Sequence, residues 1–175
     1  MPTELQNQFR EAMAQVATPV SVVTTVADGQ PYGSTVSAFA SLSMEPPMVL
    51  VSLFRTSGLL PAIRSSGRFG LNILGSAHSR LATGFATRRR PSEKFAGVPW
   101  MMDEGLPRLT GAPGWVACDV WQEVDGGDHT VLFGLVRGAD TSGGEPLTYH
   151  LRSYGTHRML PRTDASLTLM WALEA

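Results

Sequence analysis

Gly33-Ser34-Thr35-Val36-Ser37-Ala38-Phe39-Ala40-Ser41-Leu42-Ser43, followed by Met44-Glu45-Pro46-Pro47, is the stretch on which the reading of this sequence turns. Eight of the eleven residues from 33 to 43 are Gly, Ser, Thr or Ala on a strand-like frame. Small side chains let a flat ligand approach the backbone, and hydroxyls with nearby N–H groups can donate to phosphate or ring carbonyl oxygens. Pro46-Pro47 fixes φ twice and re-aims the chain into the apolar run Met48 to Phe54. That run predicts a strand buried on both faces. Taken alone, a Ser/Thr-rich strand edge is more often a solvated face, so its neighbours must decide.

Upstream, the apolar period is two from Val20 onward. Asp28-Gly29 is a hairpin signal, with a return strand expected from about Tyr32 to Ala38. Before it, Leu5, Phe9, Met13 and Val16 recur at helical spacing and predict a helix over 3–16, capped by Thr3 and stopped before Pro19. Downstream, 57–66 reads as a short helix with Ser57 as cap and Gly67 as stop. Arg68 to Leu74 reads as a strand and 76–85 as another short helix. Residues 86–114, with three consecutive Arg, four Pro and four Gly, read as an irregular loop. Trp115 to Val124 and Thr130 to Ala139 read as strands joined by Asp125-Gly126-Gly127-Asp128, and Leu147 to Leu151 as a last strand. Many strands and few short helices predict a mainly β chain, an antiparallel barrel with helical decoration, in a single domain over 1–175. Strands apolar on both sides need outer cover from helices or a second subunit.

Composition narrows the function. Hydrophobic residues make up 43% of the 175, but charged residues only 17%, against roughly 25% in an ordinary soluble domain. Less charge means less polar surface, which points to a homo-oligomer. The net charge of −1 argues against nucleic acid and anionic membranes as partners. The single cysteine, Cys118, excludes an internal disulfide and a multi-cysteine zinc site; in its alternating strand it reads as a small buried hydrophobe. The first 17 residues lack an apolar signal core. Neither 46–54 nor the tail 167–173 approaches the roughly 20 residues of a membrane helix. A cytoplasmic location is expected. Neither a Rossmann fingerprint nor a P-loop, a G-x-S-x-G elbow or H-E-x-x-H is present. Asp128, His129 and His150 leave a metal group open, although no metal is expected.

The ordered motifs resemble the short-chain flavin reductase-like family, which includes the small reductase components of two-component flavin-dependent monooxygenases. Phe9-Arg10-Glu11-Ala12-Met13 with Val16 to Thr25 is similar to its opening helix and first strand. Residues 33–43 with Pro46-Pro47 and Val49 to Ser52 resemble its flavin-binding strand pair. Phe69-Gly70-Leu71-Asn72-Ile73-Leu74 resembles its next strand, and Lys94-Phe95 its basic residue followed by Phe. Gly127-Asp128-His129-Thr130 with Gly134 and Val136 resembles a G-D-H motif, and Pro146 to Tyr149 followed by Tyr154 a closing segment. The sequence departs at Pro19 and Arg152, where Gly is usual, and at Ala117, where Glu is common. Arg152 places a large cation near the expected pocket mouth. The tail 161–175 has no counterpart.

The resemblance implies an FMN-binding split β-barrel, Greek-key-like and antiparallel, forming a homodimer with flavin near the subunit interface. It implies an NAD(P)H:flavin oxidoreductase that passes hydride to FMN or FAD, with NADH or NADPH as co-substrate, and supplies reduced flavin to a separate oxygenase. A flavin-binding or electron-relay protein of the same fold is the alternative. Under the resemblance, Thr35, Val36, Ser37 and Ala38 line the flavin ring. Ser41, Leu42 and Ser43 reach its ribityl chain or phosphate. Ser52, Leu53, Phe54, Thr56 and Ser57 continue that wall, and Asn72 and Phe95 belong to the same binding set. Lys94 supplies charge to a phosphate, or is a solvated loop residue. His129 is the expected catalytic group, bonding the nicotinamide amide, or a turn residue. Tyr154 covers the stacked rings, or is a core aromatic. Arg88-Arg89-Arg90 grips adenosine phosphates, or is a solvated face.

Overall fold

A computed structural model describes residues 1–160; the tail 161–175 lies outside the described residues. Helix α1 (Glu4–Ala14) opens with a reciprocal cap in which Gln6 N donates to Thr3 Oγ1 and Thr3 N to Gln6 Oε1. There follow β1 (Thr18–Pro19), β2 (Ser21–Ala27), β3 (Gln30–Val36), β4 (Phe39–Met44), β5 (Pro47–Phe54), α2 (Leu59–Ser66) and β6 (Arg68–Ile73). After a 3-10 turn (Ser76–His78) come α3 (Ser79–Phe85), α4 (Pro91–Phe95), β7 (Trp100–Asp103) and β8 (Leu106–Leu109). The chain continues through β9 (Gly114–Gly126), β10 (His129–Thr141), β11 (Leu147–His150) and β12 (Ser153–Thr156).

Seven strands form one sheet in the order β3-β2-β6-β9-β10-β5-β4. β1-β11-β12 and β7-β8 form two smaller sheets, and every strand pair is antiparallel. The mainly β expectation holds. The alternation Val20-Val22 against Ser21-Val23 becomes burial on both sides of β2. Val23 packs with Leu60 and Ile63 of α2 and with Phe69, Val51 and Leu132. Val20 and Val22 join a second cluster with Phe85, Phe95, Leu109 and Leu147. β2 is therefore the wall between two cores, and its threonines spend their hydroxyls there: Thr24 Oγ1 donates to Pro107 O (2.6 Å) and Thr25 Oγ1 to Arg68 O (2.8 Å).

Three expectations need correction. β5 is only half covered: Val51 and Leu53 are buried, Phe54 is exposed and Met48 to Leu50 are intermediate. Residues 86–114 contain α4 and the β7-β8 hairpin, whose turn is Glu104-Gly105 at φ +51° and +74°. Glu is a poor occupant of that left-handed position, so the turn carries no sequence signal. The closing segment is a hairpin, β11-β12, turned by Leu151 and Arg152 at φ +47° and +63°. Arg152 thus stands at a turn where glycine would sit without strain, and its guanidinium pairs with Glu11 of α1.

β9 and β10 slip register at Phe133/Gly134, where β10 crosses Phe69. A Cβ on Gly134 would lie 2.5 Å from the Phe69 ring and 2.9 Å from Cys118 Cβ. Burial pushes the thiol of Cys118 up to about 12, with Asp119 adding to it. Gly134→Ala is expected to lower stability by about 1–3 kcal/mol through overpacking. Urea unfolding of the variant with an unchanged midpoint would contradict that packing.

Candidate functional site

Val36 ends the ladder with β2, and the next two residues leave it. Ser37 and Ala38 cross to β5, where Ser52 N donates to Ala38 O (2.9 Å). The crossing leaves a hollow of about 170 Å³ between β3 and β5. Ser34, Thr35, Val36, Ser37 and Ala38 line one side; Ser52, Leu53, Phe54, Ser57 and His129 line the other. Thr35 Oγ1 donates to Ala82 O (2.6 Å), so Thr35 gives this hollow backbone rather than hydroxyl. His129 opposes Phe54 across β10-β5, with ring centroids 4.0 Å apart and planes tilted by 33°. Its Nδ1 lies 2.7 Å from Asp128 Oδ1, which fixes the ring and leaves Nε2 without a partner among the described residues.

A larger hollow of about 760 Å³ adjoins it, sharing Ser34, Phe54 and Ser57. Tyr32 and Gly33, Thr56 to Leu59, and Ala86 to Arg89 with Pro91 and Lys94 form its walls. Gly33 has room for no side chain, since a Cβ would lie 2.7 Å from the Phe85 ring. Lys94 Nζ donates to Gly33 O (3.1 Å) and Phe85 O (2.9 Å), and desolvation lowers its pKa. Ser57 Oγ accepts from Leu59 N (3.3 Å) at the start of α2, where the N-cap is Gly58. Gly67 ends that helix in the left-handed conformation (φ +68°).

The two hollows therefore collect Thr35 to Ala38, Ser52 to Phe54, Thr56, Ser57, Lys94 and His129. The other expected site residues lie elsewhere. Asn72 is fully buried; its Nδ2 donates to Val22 O (3.1 Å) and its Oδ1 accepts from Leu109 N (2.7 Å). Its amide pins β8 to the sheet and is spent. Phe95 is buried edge-on against Phe85 and Trp100. Ser41, Leu42 and Ser43 stand on edge strand β4, where a register shift between Ser41 and Ser43 bulges Leu42 outward. Tyr154 packs on Tyr149 in β11-β12 (5.4 Å) and lines neither hollow. Arg152 lines neither as well. Tyr32, Gly58, Leu59, Ala86 and Thr87 were not read from the sequence; nothing in their types marks them. Among the described residues no group of three metal-ligating side chains forms, so Asp128, His129 and His150 do not assemble one. No helix among them is long and apolar enough to cross a membrane.

A family profile described as "flavin reductase like domain" matches residues 13–158. This chain belongs to that family. A flavin reductase-like protein from Methylorubrum extorquens named FMN reductase (NADH) RutF 2 is 41% identical over 159 residues, covering 90% of this chain and 91% of its own. The reductase component of 4-nitrophenol 4-monooxygenase/4-nitrocatechol 2-monooxygenase from Rhodococcus opacus is 38% identical over 148 residues, covering 85% and 79%. In three dimensions the chain is similar to nitrilotriacetate monooxygenase component B from Mycobacterium thermoresistibile. The TM-score is 0.84 at 33% identity, over 93% of this chain and 94% of that one.

Removing the Asn72 side chain strands the buried Leu109 N–H. Asn72→Ala is expected to cost about 1–3 kcal/mol of stability, read by thermal denaturation, with flavin affinity per folded molecule retained. A stable variant that had lost flavin would return Asn72 to the binding set.

Proposed function

We propose that this chain is an NAD(P)H:flavin oxidoreductase that accepts FMN or FAD and hands reduced flavin to a separate oxygenase component. The observation that carries the reading is the seam between β3 and β5: a backbone-walled slot of small side chains, roofed by Phe54 and His129 and continuous with a cationic hollow. Such a donor set fits a flat ring with carbonyl edges and an anionic tail. When bound there, flavin supplies a ring nitrogen that accepts hydride from the C4 carbon of reduced nicotinamide.

The chain's own residues hold, orient and exclude. Backbone along Thr35 to Ala38, with the hydroxyls of Ser37 and Ser52, meets the polar ring edge. Phe54, 56% exposed, covers the ring mouth with apolar surface and keeps water from it. Lys94, two of its three protons spent on carbonyls, keeps one for the tail phosphate. His129, held by Asp128, presents Nε2 to the carboxamide of the nicotinamide and so sets the approach distance. No side chain needs to move a proton for this step.

The same proposal includes a homodimer of split barrels in the cytoplasm. Every apolar residue of the α1 stripe is exposed, Leu5 by 74% and Phe9 by 64%. Leu42 and Met44 of β4 and Trp121 and Val124 of β9 are exposed too. A chain with so little charge and such unpartnered surface is suited to bury it against a second copy.

Two measurements test the reading. Oxidation of NADH and NADPH is followed with FMN, FAD and riboflavin in every pairing; turnover with at least one pair is expected. Bound flavin with no oxidation of either nucleotide would make the protein a flavin carrier instead. His129→Ala is expected to raise KM for the nicotinamide about tenfold while leaving flavin Kd within about twofold. Equal losses in both would reduce His129 to a turn residue.

A further inference from the structure

The cations of the larger hollow lie in two tiers. Lys94 is on its inner wall, half-buried and tied to Gly33 and Phe85. Arg88 and Arg89 are at its rim, exposed. Half of the arginines of the described residues pair with carboxylates: Arg55 with Asp125, Arg64 with Glu123, Arg68 and Arg137 with Asp119, Arg108 with Asp103 and Asp140, Arg152 with Glu11. Arg88 and Arg89 have no carboxylate partner among the described residues. The hollow's lining holds these three cations and no Asp or Glu, in a chain whose net charge is −1.

Both rim residues are held at fixed anchor points. On one side, Thr87 N and Oγ1 donate to Gly84 O (3.3 and 2.7 Å) and Ala86 N donates to Ala82 O, closing α3. On the other, Arg90 begins the capping box of α4, with its N–H donating to Glu93 Oε2 (3.3 Å). Glu93 N donates back to Arg90 O (3.1 Å). The nearest carboxylate in sequence is thus turned to a backbone N–H. A short bridge with pinned ends loses little backbone freedom when its two guanidinium groups take an anion.

We propose that Arg88 and Arg89 recognise the 2′-phosphate of NADPH, making this chain selective for the phosphorylated nicotinamide. The proposal rests on the flavin reductase reading above. The inner cation serves the tail of the ligand seated first, and the rim cations meet the ligand that enters over it. A 2′-phosphate carries a charge of about −1.5 to −2 near neutral pH and matches the guanidinium fork in two-point geometry. A carboxylate is one way to accept from the free ribose diol of NADH, as Rossmann folds do, and this lining has none.

The test has a binding arm and a kinetic arm. Adenosine 2′,5′-bisphosphate is titrated against AMP by calorimetry on the flavin-loaded protein. The bisphosphate is expected to bind at least about tenfold more tightly, with the margin shrinking as salt rises. In the kinetic arm, the wild-type KM is expected to be lower for NADPH than for NADH. Arg88→Gln with Arg89→Gln is expected to raise the KM ratio of NADPH to NADH by about 10- to 100-fold. Arg88→Lys with Arg89→Lys should recover part of that ratio, since charge returns without the fork. Equal affinity for the two probes, an unchanged ratio, or a loss falling on FMN and FAD instead would overturn the proposal. Failure of both nicotinamides with every flavin is a different result, which defeats the reductase reading, while the calorimetric arm still decides on the rim cations.

Discussion

The seam between β3 and β5 stays open because the chain leaves β2 at Val36 and bonds β5 through Ala38 O and Ser52 N. A continuous ladder there would close the smaller hollow. A run of bulky residues would fill it. Gly33, Ser34, Ser37 and Ala38 do neither, and at Gly33 smallness is enforced from behind, because Phe85 presses where a Cβ would be. The helices α3 and α4 matter to the site for that reason. They support the strand from its far face and bring Lys94 round to the Gly33 carbonyl.

The architecture was legible wherever local chemistry and tertiary demand agree. Asp28-Gly29 turned β2 into β3, both residues at positive φ. Gly67 stopped α2, and Thr3 started α1 with the reciprocal bond to Gln6. Elements went unread where the fold imposed a turn on the wrong residue type. Glu104 and the pair Leu151-Arg152 take left-handed conformations that neither composition nor period announces; β7, β8 and β12 were lost with them. Burial on both faces of β5 was overestimated because apolar content cannot distinguish a face turned to the core from one left for another surface.

The site was legible to a similar degree, and for a related reason. A run of small residues marks open backbone, and that part of the expectation gathered into one hollow. Asn72 and Phe95 resemble binding residues in a linear reading but are core fasteners, since a buried amide that donates through Nδ2 and accepts at Oδ1 within the core, and a buried ring, have the same types as ligand contacts. The same ambiguity surrounds Tyr154, which finds its aromatic neighbour in its own hairpin. Arg152, met first as a disturbance to the pocket, holds the terminal hairpin to α1 through Glu11.

Cys118 is sealed between β6 and β10 with its proton firmly held. The thiolate is the form that attacks peroxide, and here it is both scarce and out of reach. Chemistry that brings reduced flavin near dioxygen generates such oxidants, so a lone sulfhydryl hidden in this way spares the chain from sulfenylation and from crosslinking to its neighbours. The burden of oxidative wear passes instead to the thioethers of Met101 and Met102 on the outside, whose sulfoxides are reversible and lie clear of the core.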